Sequence, residues 1–339
     1  MLTHANITSN LEGLFQIFHV RDDDAILGVL PFFHSFGFTG TLWFPLISGI
    51  GAIYHGNPLD AKVVGKLVHQ HKATILMATP TFLNAYTRRC EGKQFKSLRL
   101  VIVGAEKLKE NAAREFKEKF GLDPMEGYGC TELSPIVAIN LPDFTRQGVI
   151  QKAYKPGTIG LPLPGIAVRI VDQNTQQPLG PNEDGLLLVK GPNVMKGYLG
   201  QEEATQKVIR DGWYWTGDIA HMDEDGFLRI TDRLSRFSKI AGEMVPHIKI
   251  EEGIHDILKT SEQVCVVTSL PDEKKGERLV VLYKGDLDVG GLVEELKQNG
   301  LPNLWIPDAQ CFFRIEAIPL LGSGKLDLGA IKRKAMEHK

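Results

Sequence analysis

The sequence has 339 residues, of which 43% are hydrophobic and 24% are charged, and its formal net charge is -2. This length exceeds what one hydrophobic core usually holds, so we expect two domains. The near-neutral charge gives no reason to expect nucleic acid as a partner. The four cysteines are far apart and form no Cys-x-x-Cys pair. This argues against a disulfide framework or a zinc site and favours a cytoplasmic location.

An uncharged apolar stretch extends from residue 25 to residue 54 and is long enough to span a bilayer. Pro31, Pro45 and several glycines interrupt this stretch, and His34 lies within it. Because these residues disfavour a continuous membrane helix, we predict two buried helices that line an apolar pocket. An ordinary core segment is the alternative.

Strand-like and helix-like segments alternate between residues 74 and 125. "TILMA" predicts a buried strand, "TPTFLNAYTRRC" a helix and "LRLVIVGAE" a second strand, and the helical pattern of "LKENAAREFKEKF" ends at Gly121. Such alternation is typical of an α/β domain with a mostly parallel sheet. Ligands of these sheets bind at the carboxyl ends of the strands, where "VGAE" and "GYGCTE" fall.

The composition changes twice in the second half of the chain. From about 155 to 232, glycine and proline turns separate short strand-like segments, which predicts a β-rich subdomain without helical periodicity. From 237 to 339, strands, amphipathic helices and a final basic helix predict a small α+β domain. We therefore predict a large domain over 1–232 and a C-terminal domain over 237–339, with a linker near 232–236.

The segment "EGYGCTELSP" combines groups that suit a nucleotide. A strand that ends in glycine, tyrosine and glycine allows close backbone approach to a ligand. Tyr128 can stack on a base, the Thr131 hydroxyl can reach a phosphate oxygen, and the Glu132 carboxylate can hold a magnesium ion. An ordinary turn between a strand and a loop is the alternative.

Three further polar residues follow this segment. Asp218, in "WYWTGDIA", can accept hydrogen bonds from the two hydroxyls of a ribose, and Arg233 can assist it. Lys325 follows a Gly-Ser-Gly turn that can bring its ammonium group into a closed site, where it would neutralise a carboxylate and a phosphate oxygen. The alternative for Asp218 is an ordinary surface turn. For Arg233 it is a solvated charge in a linker, and for Lys325 it is a solvent-facing hairpin lysine.

Taken in order, these segments resemble the adenylate-forming superfamily of acyl-CoA synthetases, luciferases and peptide-synthetase adenylation domains. The resemblance runs nearly end to end, through "LPFFHSFGF", "VIVGAEKL", "GYGCTE", "GTIGLPLPG", "NVMKGYLG", "YWTGDIA", "DRLSRFSKIAGE" and "PLLGSGKL". It implies an enzyme that joins a carboxylate to AMP, using ATP and magnesium. Such enzymes then rotate a small, mobile C-terminal lid domain and pass the acyl group to a thiol.

The resemblance also implies a role for each candidate residue. Gly104, Ala105 and Tyr128 would enclose adenine, Gly129 would contribute to nucleotide binding, Thr131 would touch the α-phosphate, and Glu132 would bind magnesium. Asp218 would hold the ribose with Arg233 assisting, and Lys325 would bridge the attacking carboxylate and the α-phosphate. His34 would sit at the acyl pocket entrance, and Gly242 would admit the pantetheine arm of the acceptor. For His34, a packed core histidine is the alternative.

Within the superfamily, "RFSKIAGEMV" and "PLLGSGKLD" most resemble the synthetase half of a bifunctional enzyme, an acyl-ACP synthetase joined to a 2-acylglycerophosphoethanolamine acyltransferase. Met244 stands where many CoA ligases carry arginine, which favours acyl carrier protein over CoA as the thiol partner. Ser235 replaces the usual acidic hinge residue. The expected substrate is a long-chain fatty acid. A fatty acid-CoA ligase and a non-catalytic binding module are the alternatives.

The resemblance further implies that the Ser/Thr/Gly-rich loop around the β- and γ-phosphates is missing, since "MLTHANITSN" directly follows that loop in the family. We therefore expect Met1 not to be the natural start, with the first strands of the large domain missing too and another polypeptide as one source of them. We expect residues 1–339 to bind acyl-AMP better than they turn over ATP. The basic run "KRKAMEHK" could contact anionic lipid at the inner membrane face or an acidic carrier protein; a solvated helix end is favoured.

Overall fold

The computed structural model describes residues 1–146, 148–260, 262–320 and 326–338, and it divides into two compact units, Met1–Thr231 and Asp232–Lys339. The helices are α1 His4–Ile17, α2 Ser35–Gly37, α3 Phe44–Ser48, α4 Ala61–His71, α5 Pro80–Arg89, α6 Glu110–Phe120, α7 Glu202–Val208, α8 His247–Ile257, α9 Val289–Gln298 and α10 Leu328–Met336. The strands are β1 Ala25–Gly28, β2 Gly51–Tyr54, β3 Ile75–Ala78, β4 Leu100–Val103, β5 Pro124–Gly129, β6 Ile136–Ile139, β7 Phe144–Arg146, β8 Val149–Gln151, β9 Leu161–Pro162, β10 Ala167–Val171, β11 Gly185–Lys190, β12 Ile209–Arg210, β13 Trp213–Met222, β14 Leu228–Arg233, β15 Phe237–Ile240, β16 Glu243–Pro246, β17 Cys265–Asp272, β18 Gly276–Tyr283 and β19 Phe312–Arg314.

A seven-stranded sheet organises the first unit, in the order β2-β1-β3-β4-β5-β6-β9. The first five strands in this order run parallel, whereas β6 and β9 add antiparallel pairs at one side. The predicted α/β class with a mostly parallel sheet is therefore confirmed. Because parallel strands end at the same edge, this topology places the residues after β4 and β5 side by side.

Both faces of this sheet are covered by apolar side chains, as parallel sheets require. Alternate residues of β3 and β4 belong to two separate hydrophobic clusters. Ile75 and Met77 pack on one face with α1, and Leu76 and Ala78 pack on the other with α4 and α5. The central strands are fixed from both sides, and the loops at their carboxyl ends extend from a rigid base.

The prediction of two buried helices over residues 25–54 was wrong. The two ends of this stretch form the parallel strands β1 and β2. Only its middle is helical, where the π-helix Phe38–Trp43 joins α2 and α3. Four-residue apolar strands cannot be distinguished from buried helix by periodicity alone. Within the described ranges, no helix is both long and apolar enough to cross a membrane.

The β-rich region of the first unit forms a second, antiparallel sheet. Its order is β10-β11-β13-β12, and β14 pairs with β13. The prediction of a region without helix missed the short helix α7, which contributes no buried residue. Strand β13 lies between β11 and β12 in this sheet, and Asp218 is near the middle of β13. Asp218, the residue predicted to hold a ribose, is therefore part of this sheet.

The second unit is an α+β domain, as predicted. Strands β15 and β16 form a hairpin, and β17, β18 and β19 form a three-stranded sheet. Helices α8 and α9 pack with β17 and β18 in one hydrophobic cluster, and α10 packs in another on the other sheet face. The alternation of buried residues along β17 and β18 thus supplies two cores around one small sheet.

A buried carboxylate ties together the amino ends of the parallel strands. Asp24 accepts hydrogen bonds from Arg99 Nε (2.8 Å), Thr74 Oγ1 (2.7 Å) and the Arg21 amide (2.8 Å), and its side chain is fully buried. Burial by itself would raise its pKa, but the hydrogen bonds from Arg99, Thr74 and Arg21 outweigh burial and lower the pKa to about 2.

We predict that Asp24→Asn lowers the free energy of unfolding at pH 7 by about 2 kcal/mol, because charge-assisted hydrogen bonds contribute roughly 1.5 to 3 kcal/mol. A lowered pKa stabilises the fold above the pKa of the unfolded carboxyl, and this contribution is lost as the pH falls toward 2. The difference between wild type and variant should therefore shrink below pH 4 in urea titrations. An equal difference at pH 7 and pH 3 would contradict this account.

Candidate functional site

The carboxyl end of β5 supports the candidate site, and Gly129 gives it its shape. A Cβ atom added at Gly129 would lie 2.0 Å from the carbonyl oxygen of Pro135. The chain folds back closely here, through the 3-10 helix Thr131–Leu133, before β6 pairs antiparallel with β5. Only glycine allows this close approach, so Gly129 fixes the positions of the residues that follow it.

Strand β4 ends beside β5 and brings the predicted adenine-flanking residues into the same region. A Cβ atom on Gly104 would lie 3.2 Å from the carbonyl oxygen of Gly127, so the two backbones are in close contact. Ala105 adopts a φ of 72°, which a side-chain-bearing residue rarely accepts. The Glu126 carboxylate accepts a hydrogen bond from the Leu108 amide (3.2 Å) and thereby anchors the loop after β4.

Glu126 is partly buried beside this loop. Burial raises its pKa to about 7, against the opposing effects of the Leu108 amide, Lys107 and Arg229. A carboxyl with this pKa is partly protonated at neutral pH and can act as a donor or as an acceptor. Glu126 was not among the predicted site residues, although it is the first residue of "EGYGCTELSP".

Tyr128 and Asp218 meet although they are 90 positions apart in the sequence. The Tyr128 hydroxyl donates a hydrogen bond to Asp218 Oδ2. The Asp218 amide donates to Thr216 Oγ1 (3.0 Å), and that hydroxyl donates to the Leu187 carbonyl (2.9 Å). Burial and the neighbouring Asp218 raise the pKa of Tyr128 well above its ordinary value, so the phenol stays protonated. The residues predicted to hold adenine and ribose are therefore adjacent.

Thr131 lies next to α2, the short helix that His34 caps. The Thr131 hydroxyl is 3.1 Å from Ser35 Oγ, and this contact is exposed to solvent. His34 caps α2, with Nδ1 accepting from the Phe36 amide at 3.2 Å. Phe36 in turn contacts the Gly104 position and is buried, whereas Phe33 is 87% exposed. His34 is thus a partly buried capping residue close to Thr131, and its role at an acyl pocket stays a prediction.

One segment, residues 195–198, hydrogen-bonds to both the backbone and the side chain of Glu132. The Glu132 carbonyl oxygen accepts from the Met195 amide (2.8 Å), and its Oε1 accepts from the Tyr198 hydroxyl (2.9 Å). Burial, together with the nearby Glu132 and Asp218 carboxylates, raises the pKa of the Cys130 thiol above its ordinary value. Ser35 and Tyr198 were not predicted as site residues. The family-like segment "NVMKGYLG", which contains Tyr198, could have pointed to Tyr198.

The donor set around Glu132 fits a magnesium ion. Mg²⁺ prefers oxygen ligands and is usually held by one or two carboxylates together with substrate phosphates. Glu132 and the Thr131 hydroxyl supply oxygen donors beside the predicted phosphate position. In the part of the chain that the structure describes, no group of three or more His, Cys, Asp or Glu side chains could hold a metal.

Three predicted residues belong to other parts of the chain, and their contacts with this site are not described. Arg233 is the last residue of β14 and belongs to the second unit. Gly242, also in the second unit, occupies the turn between β15 and β16 with a φ of 90°, and a Cβ there would meet nothing within 4 Å. Lys325 lies outside the described residues. Their assigned roles stay predictions.

Comparison with known proteins agrees with this geometry. The family described as "AMP-binding enzyme" matches residues 1–199, which is more than half of the chain and contains the predicted adenine, phosphate and magnesium residues. The chain belongs to the AMP-binding enzyme family. The predicted superfamily is therefore confirmed, whereas the narrower likeness to an acyl-ACP synthetase is not shown.

Three known proteins resemble this chain over 98% or more of its length. The long-chain-fatty-acid-CoA ligase of Bacillus subtilis is 30% identical over 347 residues, covering 100% of this chain and 59% of that protein. A feruloyl-CoA synthase from Amycolatopsis is 30% identical, covering 98% and 66%. ATP-bound MatB from Rhodopseudomonas palustris superposes with a TM-score of 0.85 at 26% identity, covering 100% and 66%. The chain thus spans about three fifths to two thirds of the length of these relatives.

Proposed function

We propose that this chain activates a fatty acid with ATP through an acyl-adenylate and passes the acyl group to a phosphopantetheine thiol. The observation that carries this proposal is the meeting of Tyr128, Asp218, Gly104, Thr131 and Glu132 within one unit, at the carboxyl end of a parallel sheet. The names of the fatty-acid ligases among its relatives support a fatty acid as the substrate.

In this mechanism, Tyr128 and the Gly104 turn hold adenine, and Asp218 accepts from the ribose hydroxyls. The fatty-acid carboxylate attacks the α-phosphorus of ATP, pyrophosphate leaves, and Thr131 donates to the α-phosphate oxygen where negative charge develops. Bound Mg²⁺, held by Glu132, would neutralise phosphate charge. Lys325 is proposed to bridge the carboxylate and the α-phosphate. The thiol then attacks the acyl carbonyl, and AMP leaves.

The identity of the thiol partner separates two forms of this proposal. Met244, in place of the arginine of many CoA ligases, supports acyl carrier protein, as part of a phospholipid acyltransferase system. The CoA ligases and CoA synthases among the relatives support CoA. A cytoplasmic location, at the inner face of a membrane, belongs to the same proposal, because the proposed substrate partitions into lipid.

A further polypeptide segment is proposed to cover the β2 edge of the large sheet. Seven of the sixteen exposed large apolar side chains in the described part of the chain lie between residues 32 and 59. They include Phe33 (87% exposed) and Leu46 (62% exposed). Exposed apolar patches beside an unpaired strand edge are typical of interfaces.

The acceptor is tested by incubating the chain with palmitate, ATP and Mg²⁺, together with either CoA or holo acyl carrier protein, and measuring thioester by mass spectrometry. We expect at least tenfold more thioester with the carrier protein. The reverse ratio would establish a fatty acid-CoA ligase. Failure to form AMP with either acceptor would favour the non-catalytic binding module.

A further inference from the structure

A tyrosine hydroxyl of the β-rich region reaches the Glu132 carboxylate. Tyr198 donates a hydrogen bond to Glu132 Oε1 at 2.9 Å. Tyr198 also packs against the hydrophobic cluster of the β-rich sheet, which contains the buried Tyr214 on β13. In this relay, Tyr214 supports Tyr198, and Tyr198 holds the Glu132 carboxylate.

The two tyrosines are themselves fixed in position. The Tyr198 amide donates to Thr205 Oγ1 at 2.9 Å, and the Met195 amide on the same segment donates to the Glu132 carbonyl at 2.8 Å. Tyr214 is only 5% exposed and packs in the core of the β-rich sheet.

The Tyr198 hydrogen bond restrains the orientation of the Glu132 carboxylate. The terminal torsion of a glutamate has a broad distribution, so an unrestrained carboxylate samples many orientations. Mg²⁺ requires near-ideal octahedral geometry and tolerates misplaced ligands poorly. Hydrogen-bond partners outside the direct ligands typically change metal affinity by about 10 to 100 fold when they are removed.

We propose that Tyr198, supported by Tyr214, is a positioning residue that orients the Glu132 carboxylate for the Mg²⁺ that accompanies the nucleotide. This inference rests on the proposed function, which supplies the nucleotide and the metal. Neither tyrosine touches the reacting atoms. Their effect on the reaction passes through Glu132 alone, and it is therefore confined to steps that depend on the metal.

The test uses Tyr198→Phe, which removes one hydroxyl and keeps the ring. Calorimetric titrations measure AMP binding in EDTA and ATP binding in Mg²⁺ and in EDTA. We expect wild type to bind ATP more tightly in Mg²⁺ than in EDTA. In the variant this Mg²⁺-dependent gain should fall by about 10 to 100 fold, while AMP affinity in EDTA stays within about twofold. Bound Mn²⁺, measured by electron paramagnetic resonance in the presence of ATP, should decrease in parallel.

Two further variants make the result specific. Tyr214→Phe should reduce the same Mg²⁺-dependent gain by a smaller factor, because Tyr198 still donates to Glu132. Tyr86→Phe is the matched control, since the buried Tyr86 hydroxyl donates to the Pro58 carbonyl at 2.8 Å outside this constellation. It should leave every affinity unchanged. Melting temperatures of all variants verify that each is folded.

The outcomes separate the relay from the proposed function. If wild type gains affinity from Mg²⁺ and Tyr198→Phe gains as much, the relay is overturned and the proposed function stands. If Tyr198→Phe loses AMP affinity in EDTA by the same factor, the tyrosine has a general structural role and the relay is again overturned. If wild type itself gains nothing from Mg²⁺, the proposed function is overturned, and the relay with it.

Discussion

Gly129→Ala should abolish measurable AMP binding and lower the free energy of unfolding by about 3 kcal/mol. The added Cβ would lie 2.0 Å from the Pro135 carbonyl oxygen, which is a backbone atom and cannot rotate away. Either β5 or the returning β6 must move, and both carry the site. The displacement reaches Tyr128 and Thr131 directly, since each is within two positions of Gly129.

The Gly129 prediction is measured by urea unfolding and by calorimetric titration with AMP. Gly56→Ala is the matched control, because a Cβ at Gly56 would meet nothing within 4 Å. That variant should change stability by less than about 0.5 kcal/mol and leave AMP binding intact. Wild-type AMP affinity in Gly129→Ala would show that the backbone approach at β5 does not shape the site.

Arg236→Met should destabilise the second unit by about 3 to 5 kcal/mol, the usual cost of removing one partner from a buried ion pair. Arg236 pairs with Glu251, and both side chains are less than a tenth exposed. Glu251 also accepts from the Val267 amide at 2.6 Å, which holds α8 against β17. The variant leaves the Glu251 carboxylate buried without its cation.

The pH dependence of this loss has a definite sign. Burial raises the pKa of Glu251, and Arg236 opposes that rise. Without Arg236 the folded-state pKa rises further above the unfolded value, so the carboxyl is favoured in its protonated form and the loss is larger at pH 8 than at pH 5. Nearby Asp232, whose pKa burial raises to about 7, acts in the same direction.

The Arg236 prediction is measured by urea unfolding at both pH values. The double variant Arg236→Met with Glu251→Leu is the control, because replacing a buried pair by apolar residues is often neutral or stabilising. It should recover most of the lost stability. A single variant as stable as wild type at pH 8 would show that the pair contributes nothing to the second unit.

Much of the fold could be predicted because local patterns determine it. The buried strands β3 and β4 and helix α6, which ends at Gly121 with a φ of 72°, follow directly from hydrophobic periodicity and glycine chemistry. The order of strands in the sheet was not predictable, because pairing depends on contacts between distant segments. The strands at both ends of residues 25–54 were missed for a related reason, since periodicity does not distinguish short buried strands from helix.

In the site, too, local sequence patterns predicted some residues, whereas contacts between distant segments were not predictable. Tyr128, Thr131 and Glu132 were predictable because they follow one strand at its carboxyl end. Ser35 was not, since its contact with Thr131 joins residues 96 positions apart. Tyr198 reaches Glu132 across 66 positions. Such supporting contacts form only when the chain has folded, so a sequence motif such as "NVMKGYLG" can mark the segment but not the pair of residues that meets.

The most direct test of the account is a calorimetric titration with a non-hydrolysable mimic of palmitoyl-AMP, compared with AMP alone. We expect the mimic to bind at least tenfold more tightly than AMP, because its acyl chain adds apolar burial at roughly 25 cal/mol per Å². Asp218→Asn should weaken both ligands by a similar factor, since both carry the ribose. Binding of neither ligand to the wild-type chain, or equal affinity in Asp218→Asn, would contradict the assignment of an adenylate site at this sheet edge.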